Sequence, residues 1–166
     1  IIVLAIPSQC IREIIKNNKK YFSENQILVN VSKGIENNSL MTVSDIIIDE
    51  LGCSYEKIVT LSGPSHAEEV IKLNPTTLVS SSKDLASAKK VQSVFSSTFL
   101  RIYINKDILG VELGGAIKNV IAIASGICDG IGYGDNTKAA LLTRGISEIS
   151  NLGNLMGAKS STFQGL

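Results

Sequence analysis

The sequence holds one histidine, three cysteines and three prolines in 166 residues, and almost no net charge. The lone His66 excludes a histidine-based metal cage within this chain, and no metal site is expected. Cys10, Cys53 and Cys128 are odd in number, far apart and without CxxC spacing. They read as idle thiols of a reducing compartment, not as a disulfide framework or zinc site. Sixteen Lys and Arg against fifteen Asp and Glu leave +1. That balance gives no global pull on nucleic acid or an anionic membrane. No basic segment precedes the opening apolar run, so no signal peptide is expected. The most apolar long window, 111–128, contains Glu112, Lys118 and Asn119, which makes it a poor membrane span. Also missing is a GxGxxG turn after a strand, the turn that normally opens a dinucleotide-binding fold. The glycines of GIGYG (130–134) have the wrong spacing and follow a helix. The chain opens on what reads as a strand cut from upstream partners, so a protein longer at both ends is expected.

What is present suits a soluble α/β protein. Apolar residues make up 44% and charged residues 19%, and a chain this long buries a real core without disulfides or metal. IIVLAIP (1–7) reads as a fully buried strand of a parallel sheet. A helix follows over about 9–22, then a strand over 26–34, a helix over about 40–51 and a strand over 57–65. Next come a short helix (about 67–73), a strand (76–81), a helix (about 85–96) and a strand (100–104). Strands alternating with helices predict a Rossmann-like, mostly parallel sheet. From Asp107 onward no strand is evident, and helices are expected over about 108–128 and 137–156. The predicted division is therefore a partial sheet domain, 1–107, and the start of an all-helical domain, 108–166.

In open α/β sheets ligands sit at the carboxyl ends of the strands. Those ends supply Pro7-Ser8, Lys33-Gly34 and Ser62-Gly63-Pro64-Ser65. Lys33, a cation at a strand end before a glycine, suits a phosphate or a polarised carbonyl; it equally reads as a solvated turn lysine. Ser65 to Glu68 fits the capping box S-x-x-E, and a helix start is also an anion site. His66 lies inside that box without an identifiable catalytic partner, and reads as structural or merely exposed. Lys118 lies in a helix whose same face carries Val111, Gly114, Gly115, Ala122 and Ser125, mostly small. The opposite face, Leu113, Ala116, Val120, Ile123 and Ile127, reads as the core stripe. Adjacent glycines cost helix stability, so something approaches closely, either another backbone or a ligand. Close packing with Lys118 reaching solvent remains open; so does a partly desolvated lysine with a lowered pKa, suited to acid/base work. Asp135 or Asn136 is expected to cap the last helix, and Arg144 and Glu148 to form an i, i+4 surface pair.

The strings VSKGIE (31–36), LSGPSHAEEV (61–70), GGAIKNVIAIASGICDGIGYGDNTKAALLTRG (114–145) and STFQGL (161–166) resemble bacterial NAD(P)-dependent glycerol-3-phosphate dehydrogenases, in the family's order and across the whole chain. The resemblance implies a dinucleotide-binding sheet followed by a helical substrate domain. It implies interconversion of sn-glycerol 3-phosphate and dihydroxyacetone phosphate with NAD or NADP, in the bacterial cytoplasm, serving phospholipid precursor synthesis. It makes Lys118 the acid/base. Lys33 then contacts substrate and cofactor, Gly63, Ser65 and Asn119 the substrate, and Ala67 the cofactor. The small phosphorylated substrate is the expected partner. The choice between NAD and NADP stays open, and so does oligomeric state, a homodimer included. By the same resemblance the glycine-rich turn belongs upstream of Ile1. The chain stops just before segments that supply further catalytic and phosphate-binding groups. A β-hydroxyacid-type dehydrogenase and a non-catalytic fold or assembly module are the other readings.

Overall fold

The computed structural model describes residues 1–164; Gly165 and Leu166, the end of the STFQGL string, lie outside the described residues. Five strands form one sheet in the order β1 (Ile2–Leu4), β2 (Leu28–Asn30), β3 (Ile58–Ser62), β4 (Thr76–Ser81) and β5 (Leu100–Asn105). All neighbours are parallel except β3 and β4. This is the mostly parallel Rossmann-like sheet that the alternation predicts. The helices between strands are α1 (Ile11–Asn18), α2 (Val43–Leu51), α3 (Ala67–Ile71) and α4 (Leu85–Phe95). After β5 come α5 (Ile108–Ile131), α6 (Asp135–Leu155) and a short α7 (Ser160–Gln164), which the sequence reading did not anticipate.

The sheet's two faces have separate cores because side chains alternate along each strand. On one face Leu4, Leu28 and Ile58 pack with Ile11 and Ile15 of α1 and Ile46 and Ile47 of α2. On the other, Val29, Val59, Leu61 and Leu78 pack with Val91 of α4. The expectation that the first strand is fully buried is corrected: Val3 is 43% exposed. β1 pairs only with β2 among the described strands, and α4 packs chiefly on β3, β4 and β5. The second strand is also shorter than expected. Ser32 leaves the ladder, its hydroxyl donating to the carbonyls of Ile6 and Leu4.

Helix starts are set by caps. Thr42 and Asp45 form a full capping box ahead of α2, so that helix begins later than its apolar pattern. Asp84 accepts from two amides at the start of α4. Asp107 caps α5 by accepting from Gly110 N at 3.1 Å. Its second oxygen accepts from Lys159 N (2.8 Å) and Thr162 Oγ1 (2.7 Å), tying the start of α5 to α7. The cap of α6 is Gly134, not Asp135 or Asn136. Asp135 instead occupies the first turn, where its charge complements the helix dipole. Lys138 of that helix pairs with Asp129 at 2.5 Å, and Arg144 lies 3.5 Å from Glu148 as the surface pair expected.

The core stripe of α5 differs from the one expected. Val120, Ile123 and Ile127 are 63%, 66% and 57% exposed. The helix instead turns Leu109, Leu113, Ile117 and Ile121 toward Ile149 and Phe163, a row at i, i+4 spacing. The close approach of α6 decides this: a Cβ on Gly145 would run into the Ile121 side chain. By length and composition α5, 24 residues with an 18-residue window of mean hydropathy 1.5, is long and apolar enough to cross a membrane. Its first half is nevertheless packed in protein, with Ile108, Val111, Glu112 and Leu113 buried.

Candidate active site

The carboxyl ends of β2 and β3 open on one cleft of about 310 Å³. α5 runs along its side. Lys33, Ser62, Gly63 and Pro64 come from the strand ends; Val111, Gly114, Gly115, Lys118, Asn119 and Ala122 come from α5. The small face read from the sequence is therefore the face turned to the cleft. What approaches Gly115 is a side chain: a Cβ there would sit 2.8 Å from Ser62 Oγ and 3.7 Å from Lys33 Cγ. Gly63 has φ +153, and a Cβ would meet the Thr77 carbonyl at 2.8 Å. Only glycine lets the chain leave β3 this close to β4.

Lys33 is exposed, and its Nζ donates to the Gly63 carbonyl at 3.1 Å. Lys118 is half-buried. Burial holds its ammonium pKa below the ordinary lysine value, and the nearby charge of Lys33 lowers it further. A lysine that gives up its proton more easily than in water is suited to proton transfer near neutral pH. Burial and a like charge are the two causes, and the cleft supplies both.

The candidates do not all gather in one place. Lys33, Gly63, Lys118 and Asn119 line the cleft, whereas Ser65 and Ala67 are exposed beyond its lining. The capping box expected at Ser65 is absent. His66 is the N-cap of α3 and makes no side-chain cap bond. The reason is local: the Ser65 hydroxyl turns back to donate to the Gly63 carbonyl at 3.4 Å, so it does not accept from the helix. His66 itself is exposed. The three cysteines are free, Cys10 exposed and the others half-buried. No cluster of three or more His, Cys, Asp or Glu residues is placed to hold a metal among the described residues.

Two participants escaped the sequence reading. Ser62, 7% exposed, forms the cleft wall facing Gly115. Glu112, 7% exposed, lies one and a half turns before Lys118. Its Oε1 accepts from Asn30 Nδ2 (3.0 Å), Ser44 N (3.1 Å), Ser44 Oγ (2.9 Å) and Thr60 Oγ1 (3.0 Å). Desolvation pushes its carboxyl pKa up, opposed by hydrogen bonds from Thr42, Ser44 and Thr60. The signal available in sequence was a carboxylate inside an otherwise apolar helical window.

Comparison with known proteins gives consistent matches. Residues 1–88 match the model of the NAD-dependent glycerol-3-phosphate dehydrogenase N-terminus, and residues 107–166 that of the C-terminus. The glycerol-3-phosphate dehydrogenase (NAD(P)+) of Bacillus velezensis is 52% identical over 166 residues, covering 99% of this chain and 48% of the relative. That of Clostridium perfringens is 54% identical over 165 residues, covering 99% and 49%. The crystal structure of the Coxiella burnetii glycerol-3-phosphate dehydrogenase superposes with a TM-score of 0.89 at 33% identity, over 99% of this chain and 50% of that one. The chain thus spans about half the length of the curated relatives it matches. With the two terminal models matching in order, and the strand-end cleft lying where α5 of the second match meets β2 and β3 of the first, the chain belongs to the NAD-dependent glycerol-3-phosphate dehydrogenase family.

Proposed function

We propose that a full-length polypeptide carrying this chain interconverts sn-glycerol 3-phosphate and dihydroxyacetone phosphate with NAD or NADP, as a cytoplasmic enzyme supplying glycerol 3-phosphate for phospholipid synthesis. One observation carries the reading. Lys118, with its pKa lowered by burial and by Lys33, shares a strand-end cleft with Lys33 on a face of α5 stripped to glycine and alanine. The division of labour is 1–107 for the cofactor side and 108–166 for the start of the substrate side.

A nicotinamide ring suits this wall. The glycine at 115 lets Ser62 and Lys33 pack close against the α5 backbone, so a ring in the cleft would meet backbone and small side chains there. When bound, the cofactor supplies or accepts the hydride. Everything else falls to the chain. Lys118 as an ammonium donates to the ketone oxygen of dihydroxyacetone phosphate and hands over a proton as that oxygen becomes an alkoxide. In the reverse direction its neutral amine takes the hydroxyl proton of glycerol 3-phosphate. Lys33, held toward the cleft by the Gly63 carbonyl, offers a cation to substrate and cofactor. Asn119 and Gly63 orient the substrate, Ser65 contacts it from the rim, and Ala67 contacts the cofactor.

The test is a substrate screen on the full-length enzyme. Cofactor oxidation with dihydroxyacetone phosphate, and none with β-ketoacids, is expected. Turnover of hydroxycarboxylates instead would place the chain's chemistry with the β-hydroxyacid dehydrogenases and refute this reading.

A further inference from the structure

We propose that Glu112 is a positioning residue of the site, the carboxyl that ties α5 to the strands and so fixes where Lys118 stands relative to Lys33 and Ser62. The inference rests on the dehydrogenase reading and adds a residue to it. All three walls of the cleft hang on Glu112 Oε1. Thr60, which donates to it, is two residues before Ser62 on β3. Asn30, which also donates, ends β2, and its own oxygen accepts from Ser32 N at 2.8 Å. Ser32 is in turn bonded to Ile6 and adjoins Lys33. Ser44, giving both its amide and its hydroxyl, adds α2 to the same point. Glu112 and Lys118 sit on one uninterrupted helix, about 9 Å apart along its axis. A shift of α5 against the strands therefore moves Lys118 directly.

The other oxygen, Oε2, is buried and accepts none of these four bonds. With four donors gathered on Oε1, the group works as an acceptor hub. Burial pushes its pKa up in agreement. A glutamine supplies the same acceptor oxygen, which makes it the conservative substitution.

The experiment compares Glu112→Ala, Glu112→Gln and Asn30→Ala in the full-length enzyme, with kcat per folded protein and its pH profile for dihydroxyacetone phosphate reduction. Displacement of a catalytic group by about 1 Å from a remote change costs on the order of 100-fold, and that loss is expected for Glu112→Ala. The limb on which activity falls as Lys118 loses its proton should move up toward the ordinary lysine range, as the cleft loosens. Glu112→Gln should restore kcat to within about threefold and return the limb, because the hydrogen-bond acceptor is kept. Asn30→Ala should shift the limb in the same direction. It decides the matter alone if Glu112→Ala fails to fold. A purely structural role would lower thermal stability while leaving kcat per folded protein and the pH limb unchanged, and that result overturns the proposal. Absence of dihydroxyacetone phosphate turnover in the unmutated enzyme would instead overturn the dehydrogenase reading.

Discussion

Substituting Gly115 by alanine separates the two reasons a helix can carry a glycine at that place. In α5 the change recovers helix propensity, about 1 kcal/mol. Against this, the new methyl would stand 2.8 Å from Ser62 Oγ, 0.6 Å inside the 3.4 Å at which ordinary contact begins. Ser62 is buried at the end of β3. Relieving the clash means turning its hydroxyl or pushing α5 off the strand, and overpacking of this kind costs about 1–3 kcal/mol. The net expectation is a loss of about 0–2 kcal/mol, read as a Tm lower by roughly 2–4 °C per kcal/mol. The kinetic effect should be larger than the thermal one. The methyl displaces Ser62 or α5 at the cleft wall, so KM for the cofactor and for dihydroxyacetone phosphate should rise by about tenfold, the loss of roughly 1.4 kcal/mol of binding. Thermal melting and steady-state kinetics on the full-length enzyme measure both. A variant with higher Tm and unchanged KM would show that Gly115 serves helix packing alone, and would remove the physical argument for a ligand on this face.

Three further outcomes are expected. Lys118→Met should lower kcat by about 10²–10⁴-fold, the usual worth of a positioned acid/base, and should also raise Tm at pH 7. Because folding holds the lysine below its ordinary 10.5, charging it costs native stability. That cost falls as pH rises through the lowered value, so the variant's thermal advantage should vanish as pH approaches 10.5; an advantage independent of pH would contradict the burial argument. Arg12 donates to Glu36 from Nε and Nη2, each at 2.9 Å, and from Nη1 to Asp49 and to Glu50, the latter at 2.7 Å. Arg12 first, then Ser39, holds the Glu36 carboxyl below 4.5. This stability is present above pH 4.5 and is lost as pH falls through the lowered value. Arg12→Ala should therefore cost about 1 kcal/mol at pH 7 after solvent screening, with the two Tm curves converging at acid pH; parallel curves would refute it. Gly153→Ala would drive a methyl into the ring of Phe163, which is 3% exposed. Overpacking of about 1–3 kcal/mol outweighs the helix gain of about 1 kcal/mol, so calorimetry should show a lower Tm, and an unchanged one would mean that α7 is loosely docked.

Much of the frame was readable because it depends on local pattern. β4 occupies 76–81 as its alternation and flanking turns indicate, and the passage from strand to helix falls between Asn105 and Ile108. Misreadings arose where a side chain chose a distant partner over a local one. Ser65 bonds backward to Gly63 and leaves α3 to start at His66. Ser32 leaves the β2 ladder for two carbonyls near the end of β1. The stripe of α5 was assigned one row away from the buried one, since periodicity finds apolar rows but not the neighbour that covers them. Here Gly145 and Phe163 decide, and both lie far along the chain. Lys118 and its small face could be read as unusual within one helix. Glu112 could not be paired, because its donors are 52, 68 and 82 residues away.

These long separations bear on how the site is built. A lysine that titrates easily must be kept from water and near another cation, and both conditions work against folding. At Lys118 both conditions are met, by burial and by the nearby charge of Lys33. The chain holds Lys118 in place from outside the cleft, through the Glu112 oxygen on the strands and the Asp107 carboxyl that joins α5 to α7. Rigidity around Lys118 is thereby supplied in part by buried hydrogen bonds. On the proposed dehydrogenase reading, an anionic phosphate ester is expected to bind beside Lys33 and Lys118. On that reading, substrate affinity and the lowered pKa of Lys118 draw on the same pair of lysines.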